Sequence, residues 1–352
     1  MCKQRVIWEG HKGQLCATMS ILYLLTAPPP RFEGTDAVWQ EVAALRDAFG
    51  GKILNLSPLS TTTRRFPKQL FGLRKIRELR ALERQCEANH VFFSMLYPFP
   101  ILRLLRNPIF YTVVGSLDPN RAPYACSRLE KLRGIIVSNA RDAAVLEGWG
   151  LRNYTIIPPG IDASGLVPSR LPLERDLILL MASAPWIKRQ FELKGIDLLL
   201  TAVTKLPYLR LILLWRGVLA EELERRVRRF GLEKRVEIVN RKVNINDYLG
   251  RAHATVLLAK HGGIVKSFPH SLLESLLAGK PVLLSDSIAM SDYVSKHQCG
   301  MVVREMSFKS LAAGIEMLVR DYPELSRNAL RTEAAEFSIE NMIENYRRLY
   351  AL

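Results

Sequence analysis

The residues best suited to chemistry lie in one short segment, residues 266–286. Within it, Phe268 belongs to a loop, Ser271 is predicted to cap a helix, and that helix runs to Gly279. A helix that begins at a cleft presents backbone N–H groups without intrahelical partners, and these suit a diphosphate. Glu274 lies one turn further in, where its carboxylate can accept hydrogen bonds from ribose hydroxyls. The segment therefore indicates a nucleoside diphosphate site.

Short apolar runs alternate with longer helical patterns on both sides of this segment, and this predicts parallel sheets wrapped by helices. In the first half, strands are predicted at 21–26, 51–56, 90–95, 109–114 and 134–138, and helices at 36–49, 68–88 and 140–148. In the second half, strands are predicted at 177–182, 209–215, 235–239, 255–259 and 281–285, and helices at 195–205, 219–230, 245–249 and 271–278. The fold class is α/β, with two doubly wound halves and a ligand cleft between their strand ends.

A stretch rich in Pro and Gly, residues 158–175, separates the two halves and is interpreted as a linker. We therefore expect one domain over residues 1–165 and a second over 166–335. Residues 336–352 are expected to form a helix that crosses back to the first domain.

Composition narrows the class of protein. A chain of 352 residues with 48% hydrophobic residues can bury a large core, which excludes disordered and mini-protein classes. Five cysteines without a CxxC pair encode neither a disulfide framework nor a zinc site, so a reducing, cytoplasmic compartment is expected. No apolar run is long enough for a spanning helix, and residues 15–30 favour a buried first strand over a signal peptide.

The segment 266–286 resembles the donor-binding motif of the retaining glycosyltransferases of family 4, E-S-F-P-x-x-L-L-E-A-x-A-x-G-x-P-V. Its first Glu is replaced here by Lys266. Residues 156–162 resemble the family's I-P-P-G-I-D connector, and residues 194–199 are similar to its K-G-x-D-x-L segment. Gly34 stands where the family has a glycine loop. The resemblance implies the GT-B fold, two Rossmann-like domains that face each other across a cleft, the first on the acceptor side and the second binding the nucleotide sugar.

The resemblance also implies a site and a reaction, the transfer of a sugar with retention from a nucleoside diphosphate sugar such as UDP or GDP to a glycan or lipid-linked glycan. The residues it assigns to catalysis are Lys266 and Lys194. Those it assigns to the donor are Gly34, Arg189, Lys194, Gly217, Ser267, Phe268, His270, Ser271, Leu272 and Glu274. In this family the leaving diphosphate is thought to take the acceptor's proton, so cations and helix-end amides (residues 271–273) stabilise its charge. No metal or other cofactor beyond the donor is expected.

Departures from the family pattern leave alternatives open. Lys266 donates hydrogen bonds where the motif carboxylate accepts them. A Gly-Arg pair that supplies a second cation is absent, and Lys188 or Arg189 is the expected substitute. Val114 stands near the position of a histidine found in many relatives. A catalytically silent nucleotide-binding protein and a sugar-nucleotide epimerase of similar fold therefore remain alternatives.

The net charge of +16 implies phosphate-bearing or anionic partners. Eight basic residues but only two acids, Glu78 and Glu83, lie between Arg64 and Arg84. As one helix, this region would place its arginines on one face, which fits an anionic membrane surface or a merely solvated helix face. We expect a peripheral contact with the inner face of a membrane and no binding to nucleic acid, because no nucleic-acid-binding motif is present.

Overall fold

The computed structural model describes residues 20–27, 30, 32, 34–57, 67–123, 126–215 and 219–351. Twelve strands form two sheets of six in this part of the chain. The first sheet contains β1 (Ile21–Leu25), β2 (Gly51–Asn55), β3 (Ala88–Phe93), β4 (Ile109–Val113), β5 (Gly134–Val137) and β6 (Tyr154–Ile156). The second contains β7 (Leu177–Met181), β8 (Leu209–Leu214), β9 (Val236–Val239), β10 (Ala254–Leu257), β11 (Val282–Ser285) and β12 (Gly300–Val303).

Helices connect these strands and cover both faces of each sheet. The α-helices in the first half are α1 (Ala37–Phe49), α2 (Ile76–Glu83), α3 (Cys126–Leu129) and α4 (Ala140–Gly148). Those in the second half are α5 (Gln190–Leu193), α6 (Ile196–Lys205), α7 (Ala220–Arg229), α8 (Ile245–Leu249), α9 (His270–Leu277), α10 (Met290–His297), α11 (Phe308–Arg320), α12 (Tyr322–Ala329) and α13 (Ile339–Tyr350). Short 3-10 turns lie at Lys68–Leu70, Leu73–Lys75, Pro100–Leu104 and Gly262–Ile264.

Both sheets are parallel and doubly wound, as the alternating pattern predicted. Their strand orders are β2-β1-β3-β4-β5-β6 and β12-β11-β10-β7-β8-β9. The chain reverses direction across the sheet beside β1 in the first domain and beside β7 in the second, and ligands bind at the carboxyl ends of strands at such points. Central strands are buried on both faces, which explains their continuous apolar sequences. The short strands β6 and β12 were not predicted.

The predicted helix over 68–88 is wrong in its extent. Two 3-10 turns precede α2, and Gly72 separates them with a φ of 77°. A Cβ on Gly72 would lie 3.1 Å from side-chain atoms of Ile101 and Leu56, so the chain bends against the core here. Helix α2 ends at Glu83, whose buried carboxylate accepts hydrogen bonds from the backbone N–H groups of Arg106 and Asn107.

Helix α13 packs against α1 of the first domain. The Tyr350 hydroxyl lies 2.5 Å from Nδ1 of the buried His90, and Thr112 lies 2.7 Å from Nε2 of the same ring. The Tyr346 hydroxyl is 3.0 Å from the Thr112 hydroxyl. The end of the described chain is thus tied to strands β3 and β4. None of the helices described here is both long and apolar enough to cross a membrane.

Candidate active site

A cleft lies between the two sheets and draws its lining from both domains. The first domain contributes Asp36 at the start of α1 and the residues that follow β3 and β4, Ser94 and Val114. The second contributes the loop after β7 and the first turns of α9. Of the residues assigned from the sequence, the cleft lining includes Lys194, Lys266, His270, Ser271 and Glu274.

Lys194 is a buried ammonium at the wall of the cleft. It ends α5, and the next residue, Gly195, turns the chain into α6 with a φ of 63°. Its Nζ donates to the Ser183 hydroxyl at 3.0 Å and to the Ala184 carbonyl at 3.1 Å, and it forms no ion pair with any described residue. Burial lowers the pKa of Lys194 to about 8, against a smaller opposing effect of the Asp36 carboxylate. A buried cation without a paired acid is well placed to receive an anionic ligand.

The amino end of α9 opens on the same cleft. The helix begins at His270, one residue earlier than predicted, and its cap is Pro269, so the assignment of Ser271 as the cap is wrong. The amides of Leu272 and Leu273 donate to the Pro269 carbonyl at 3.0 and 3.2 Å. The expectation that the amides of residues 271–273 bind a phosphate is therefore wrong for Leu272 and Leu273, whose amides already have a partner. The first two amides of the helix, those of His270 and Ser271, are the ones suited to an anion.

Glu274 lies one turn further along α9, half-buried, with its side chain in the cleft lining. Three other motif residues, Ser267, Phe268 and Leu272, are buried and do not line the cleft. The Ser267 hydroxyl donates to Asp142 of the first domain at 2.8 Å. Phe268 packs against the rings of Tyr293 and Phe337, and Leu272 belongs to the core of the second domain. These three residues pack on the side of the loop and helix that faces away from the cleft, and so hold both in position.

The remaining assigned residues lie at or outside the edge of the cleft. Gly34, with a φ of 72°, precedes the cleft residues Thr35 and Asp36. Arg189 is exposed and is not in the cleft lining, and Lys188 is 3.8 Å from Glu222, so neither replaces the missing second cation in this arrangement. Gly217 lies outside the described residues.

Lys266 makes the most unexpected contact of the site. Its ammonium is 2.5 Å from Oε1 of Glu41, a buried residue of α1 in the opposite domain. Nε2 of His270 lies 2.8 Å from the same oxygen, and Nδ1 is 3.1 Å from Oε1 of Gln40. The sequence interpretation missed Glu41 and Gln40. One signal was available, because Glu41 falls on the apolar stripe of α1 with Val42 and Leu45.

Among the described residues, no group of three or more His, Cys, Asp or Glu side chains could hold a metal ion. Within the lining of the cleft, positive charge comes from Lys194, Lys266 and the amino end of α9.

The sequence of this chain is similar to those of known glycosyltransferases. Residues 184–337 match the family model described as glycosyl transferases group 1. The lipopolysaccharide core biosynthesis glycosyltransferase LpsE of Rhizobium meliloti (strain 1021) is 24% identical over 180 residues, which are 51% of this chain and 49% of that protein. The chain thus spans about half the length of this curated relative.

Solved structures match nearly the whole chain. A sucrose-phosphate synthase of Thermosynechococcus elongatus superposes with a TM-score of 0.68 at 18% identity, over 94% of this chain and 99% of its own. HepE of Anabaena, in complex with UDP-glucose, does so with a TM-score of 0.68 at 15% identity, over 95% and 100%. Residues 184–337 therefore match the glycosyl transferases group 1 family, and the chain as a whole has the two-domain GT-B fold.

Proposed function

We propose that the protein is a retaining glycosyltransferase that moves a sugar from a nucleoside diphosphate donor to a glycan or lipid-linked glycan. The observation that carries this proposal is the buried ammonium of Lys194, which lines the same cleft as the first turn of α9. The lowered pKa of Lys194 shows how costly the charge is without an anion. A diphosphate would satisfy both the ammonium and the helix end.

The rest of the cleft suits the remainder of such a donor. We propose that Glu274, which lines the cleft one turn beyond the start of α9, accepts hydrogen bonds from ribose hydroxyls. Lys266 and His270 lie towards the first domain and would face the sugar. HepE, which has the same fold, binds UDP-glucose. We therefore favour UDP as the nucleotide to test first.

Chemically, the site is suited to stabilising a leaving group. Charge that develops on the departing diphosphate would be met by Lys194 and by the amides of His270 and Ser271. The leaving phosphate would take the acceptor's proton, so the protein needs no dedicated base. We propose that transfer needs no metal ion, and expect turnover to persist after EDTA treatment, whereas a loss that Mg²⁺ or Mn²⁺ restores would contradict this.

Nucleotide binding provides the first test. A donor at a hundred times its dissociation constant should stabilise the fold by about 2.7 kcal/mol, visible as a thermal shift. Glu274→Ala should weaken binding of UDP tenfold or more, because it removes the ribose contact, whereas Glu221→Ala, an exposed acid of the same domain, should not. Full donor affinity and turnover in Glu274→Ala would refute the site. Sugar nucleotide consumed without an acceptor would point to hydrolysis or epimerisation.

The acceptor is proposed from two observations. The relative LpsE is named as a glycosyltransferase of lipopolysaccharide core biosynthesis, which suggests a lipid-linked saccharide. The first domain also carries a basic surface, defined here as the exposed arginines 74, 77, 80, 84, 103 and 106. None of these arginines forms an ion pair within the described ranges.

This basic surface has the features of a membrane contact. Leu70 and Leu73 are exposed beside it, at 43% and 37%, and can enter the interface between headgroups and acyl chains. Of the two acids in this stretch, Glu83 is buried and only Glu78 is exposed among the arginines, so basic side chains predominate on the surface. This surface begins after the carboxyl end of β2, at the edge of the sheet that faces the cleft, and extends along α2 to the arginines that precede β3 and β4, near the opposite edge. We propose that the protein docks here on an anionic membrane surface, with the end near the cleft within reach of its acceptor.

Co-sedimentation with liposomes tests this contact. Vesicles rich in anionic lipid should bind the protein at low salt and release most of it at high salt, because screening weakens each arginine's contribution of about 1 kcal/mol. Replacing Arg74, Arg77, Arg80 and Arg84 by Gln should abolish binding. The matched control replaces four exposed arginines of the second domain, Arg228, Arg229, Arg327 and Arg331. Binding that ignores salt, or that both variants lose equally, would contradict the assignment.

A further inference from the structure

Glu41, Lys266 and His270 form a cluster that spans the cleft. Glu41 belongs to α1 of the first domain, and the other two residues belong to the second domain. All three side chains are nearly buried, with 8%, 13% and 7% of their surfaces exposed. One carboxylate oxygen of Glu41 contacts both partners, at 2.5 Å from the Lys266 ammonium and 2.8 Å from the His270 ring.

The carboxylate in this cluster is held in its charged form. Burial alone raises the pKa of Glu41, but the charge of Lys266 and the contacts with His270 outweigh burial, so the net shift is downward. A buried carboxylate and a buried ammonium are each costly alone and tolerable together. The two charges therefore depend on each other, although 225 residues separate them in sequence.

The two members of the pair have different access to a ligand. Lys266 lines the cleft, whereas Glu41 lies behind it and is not in the lining. An ammonium has three N–H donors; one is directed at Glu41 and Nε2 of His270 lies 3.3 Å from the same nitrogen, so at least one donor remains for a ligand oxygen. The main chain of Lys266 is also held by the first domain. Lys266 forms an isolated antiparallel β-bridge with Gly115, and the amide of Ser267 donates to the Val114 carbonyl at 2.9 Å.

We propose that Glu41 is a specificity-determining positioning residue, which holds Lys266 at the sugar end of the cleft from the opposite domain. This inference rests on the proposed function. The donor sugar is then recognised by an ammonium that donates a hydrogen bond, at the place where the family motif has a carboxylate that accepts one. The chemistry selected is an accepting oxygen on the sugar, either a hydroxyl or a carboxylate.

Charge variants of the pair test this role. Glu41→Gln keeps the shape of the side chain but removes its charge. Lys266→Glu restores the motif residue but opposes it to Glu41, so two carboxylates meet. The double variant Glu41→Lys, Lys266→Glu reverses the pair and presents a carboxylate to the ligand. Asp47→Asn, an exposed carboxylate on the same helix α1, is the matched control.

We would measure the dissociation constant of UDP by calorimetry, and kcat and KM with UDP-glucose and with UDP-glucuronate. For Glu41→Gln we expect a UDP affinity within twofold of wild type and a loss of tenfold or more in kcat/KM for the preferred sugar. For Lys266→Glu we expect a larger loss in kcat/KM for the same sugar. The reversed pair should regain thermal stability but prefer a different sugar. The wild-type preference between the two donors shows whether Lys266 meets a hydroxyl or a carboxylate.

Two results separate failure of this inference from failure of the proposed function. If wild-type protein binds neither UDP nor a UDP-sugar, the proposed function and this inference both fail. If wild type binds UDP and Glu41→Gln retains its rate and sugar preference, only this inference fails. Equal losses of UDP binding and sugar transfer in Glu41→Gln would show a purely structural role and would also overturn it.

Discussion

At the scale of single residues, the buried ammonium of Lys194 lowers the stability of the fold, and the proposed anionic ligand would offset this cost. Its pKa is about 8 in the folded protein, against about 10.4 for an unperturbed lysine. Between these values the unfolded chain binds more protons, so this group makes stability rise with pH from about 8 to about 10. Below pH 8 the full cost of burying the charge is present, and an anionic ligand would offset it.

Lys194→Met should therefore raise stability and lower affinity. At pH 7 we expect the free energy of unfolding to rise by on the order of 2 kcal/mol, because the buried charge is gone. The affinity for UDP should fall at least tenfold. In wild type that affinity should weaken as pH rises above about 8, and this dependence should vanish in the variant. Urea unfolding and calorimetry from pH 6.5 to 9.5 measure both.

The exposed Lys309→Met is the control, with neither effect expected. A Lys194→Met protein that is less stable and still binds UDP normally would show that the ammonium serves the fold alone.

Residue types and spacing could predict only part of the candidate site. Lys194 and Glu274 were found because their neighbours form recognisable motifs, and both line the cleft. Ser267 and Phe268 belong to the same motif but are buried behind the cleft, a difference that sequence letters do not express. Glu41 was missed because its partners lie in the other domain: its position on the apolar stripe of α1 indicates burial, but it does not identify the partners.

At the scale of elements, strong apolar runs were located well, whereas short or bent elements were not. Strand β6 has three residues, too few for a period to show, and β12 has four. Helix α2 and the turns before it were predicted as one helix because arginines and leucines alternate at helical spacing. The bend at Gly72 is fixed by close contact with Ile101 and Leu56, which is a tertiary effect.

The attachment of α13 to the first domain depends on a neutral histidine. Burial lowers the pKa of His90 to about 3, against about 6.5 for an unperturbed histidine. As pH falls from about 6.5 towards 3, the unfolded chain takes up a proton that the folded chain refuses. Stability should therefore fall by about 1.4 kcal/mol per pH unit from this group.

His90→Gln should be less stable than wild type at pH 7.5, because Tyr350 and Thr112 lose well-placed partners. It should also lose less stability on acidification to pH 5. Urea unfolding at the two pH values measures this difference, with the exposed His297→Gln as the control. An unchanged acid sensitivity would show that His90 is not the group responsible.

At the scale of the whole molecule, the two domains meet along a buried seam beside the cleft. The Ser116 hydroxyl accepts a hydrogen bond from the Ala289 amide at 2.9 Å, and Ser267 donates to Asp142 at 2.8 Å. Arg141 reaches Asp292 at the rim with a 2.7 Å hydrogen bond. The sequence predicted two facing domains, yet it could not predict this seam, whose contacts join residues more than a hundred positions apart.

The two domains pack so closely along this seam that a single added methyl group, at Gly262, should push them apart. A Cβ on Gly262 would lie 2.4 Å from the Ser116 Cβ across the seam and 2.4 Å from the Ser287 carbonyl. On the adjacent Gly263, the nearest atom to a Cβ is Nδ1 of His261, at 3.8 Å. Gly262→Ala and Gly263→Ala therefore make the same chemical change at neighbouring positions, and only the first collides with the other domain.

For Gly262→Ala we expect a larger radius of gyration in small-angle X-ray scattering and a loss of tenfold or more in kcat/KM. The proposed sugar transfer requires Lys194, Glu274 and Lys266 of the second domain to face Glu41 of the first domain across a closed cleft. UDP affinity should fall less, because Lys194, Glu274 and the start of α9 all belong to the second domain. Gly263→Ala should match wild type in all three measurements. Equal UDP and kcat/KM losses in Gly262→Ala would instead locate the damage within the second domain, around Ser287, and an unchanged radius would show that the seam yields without opening.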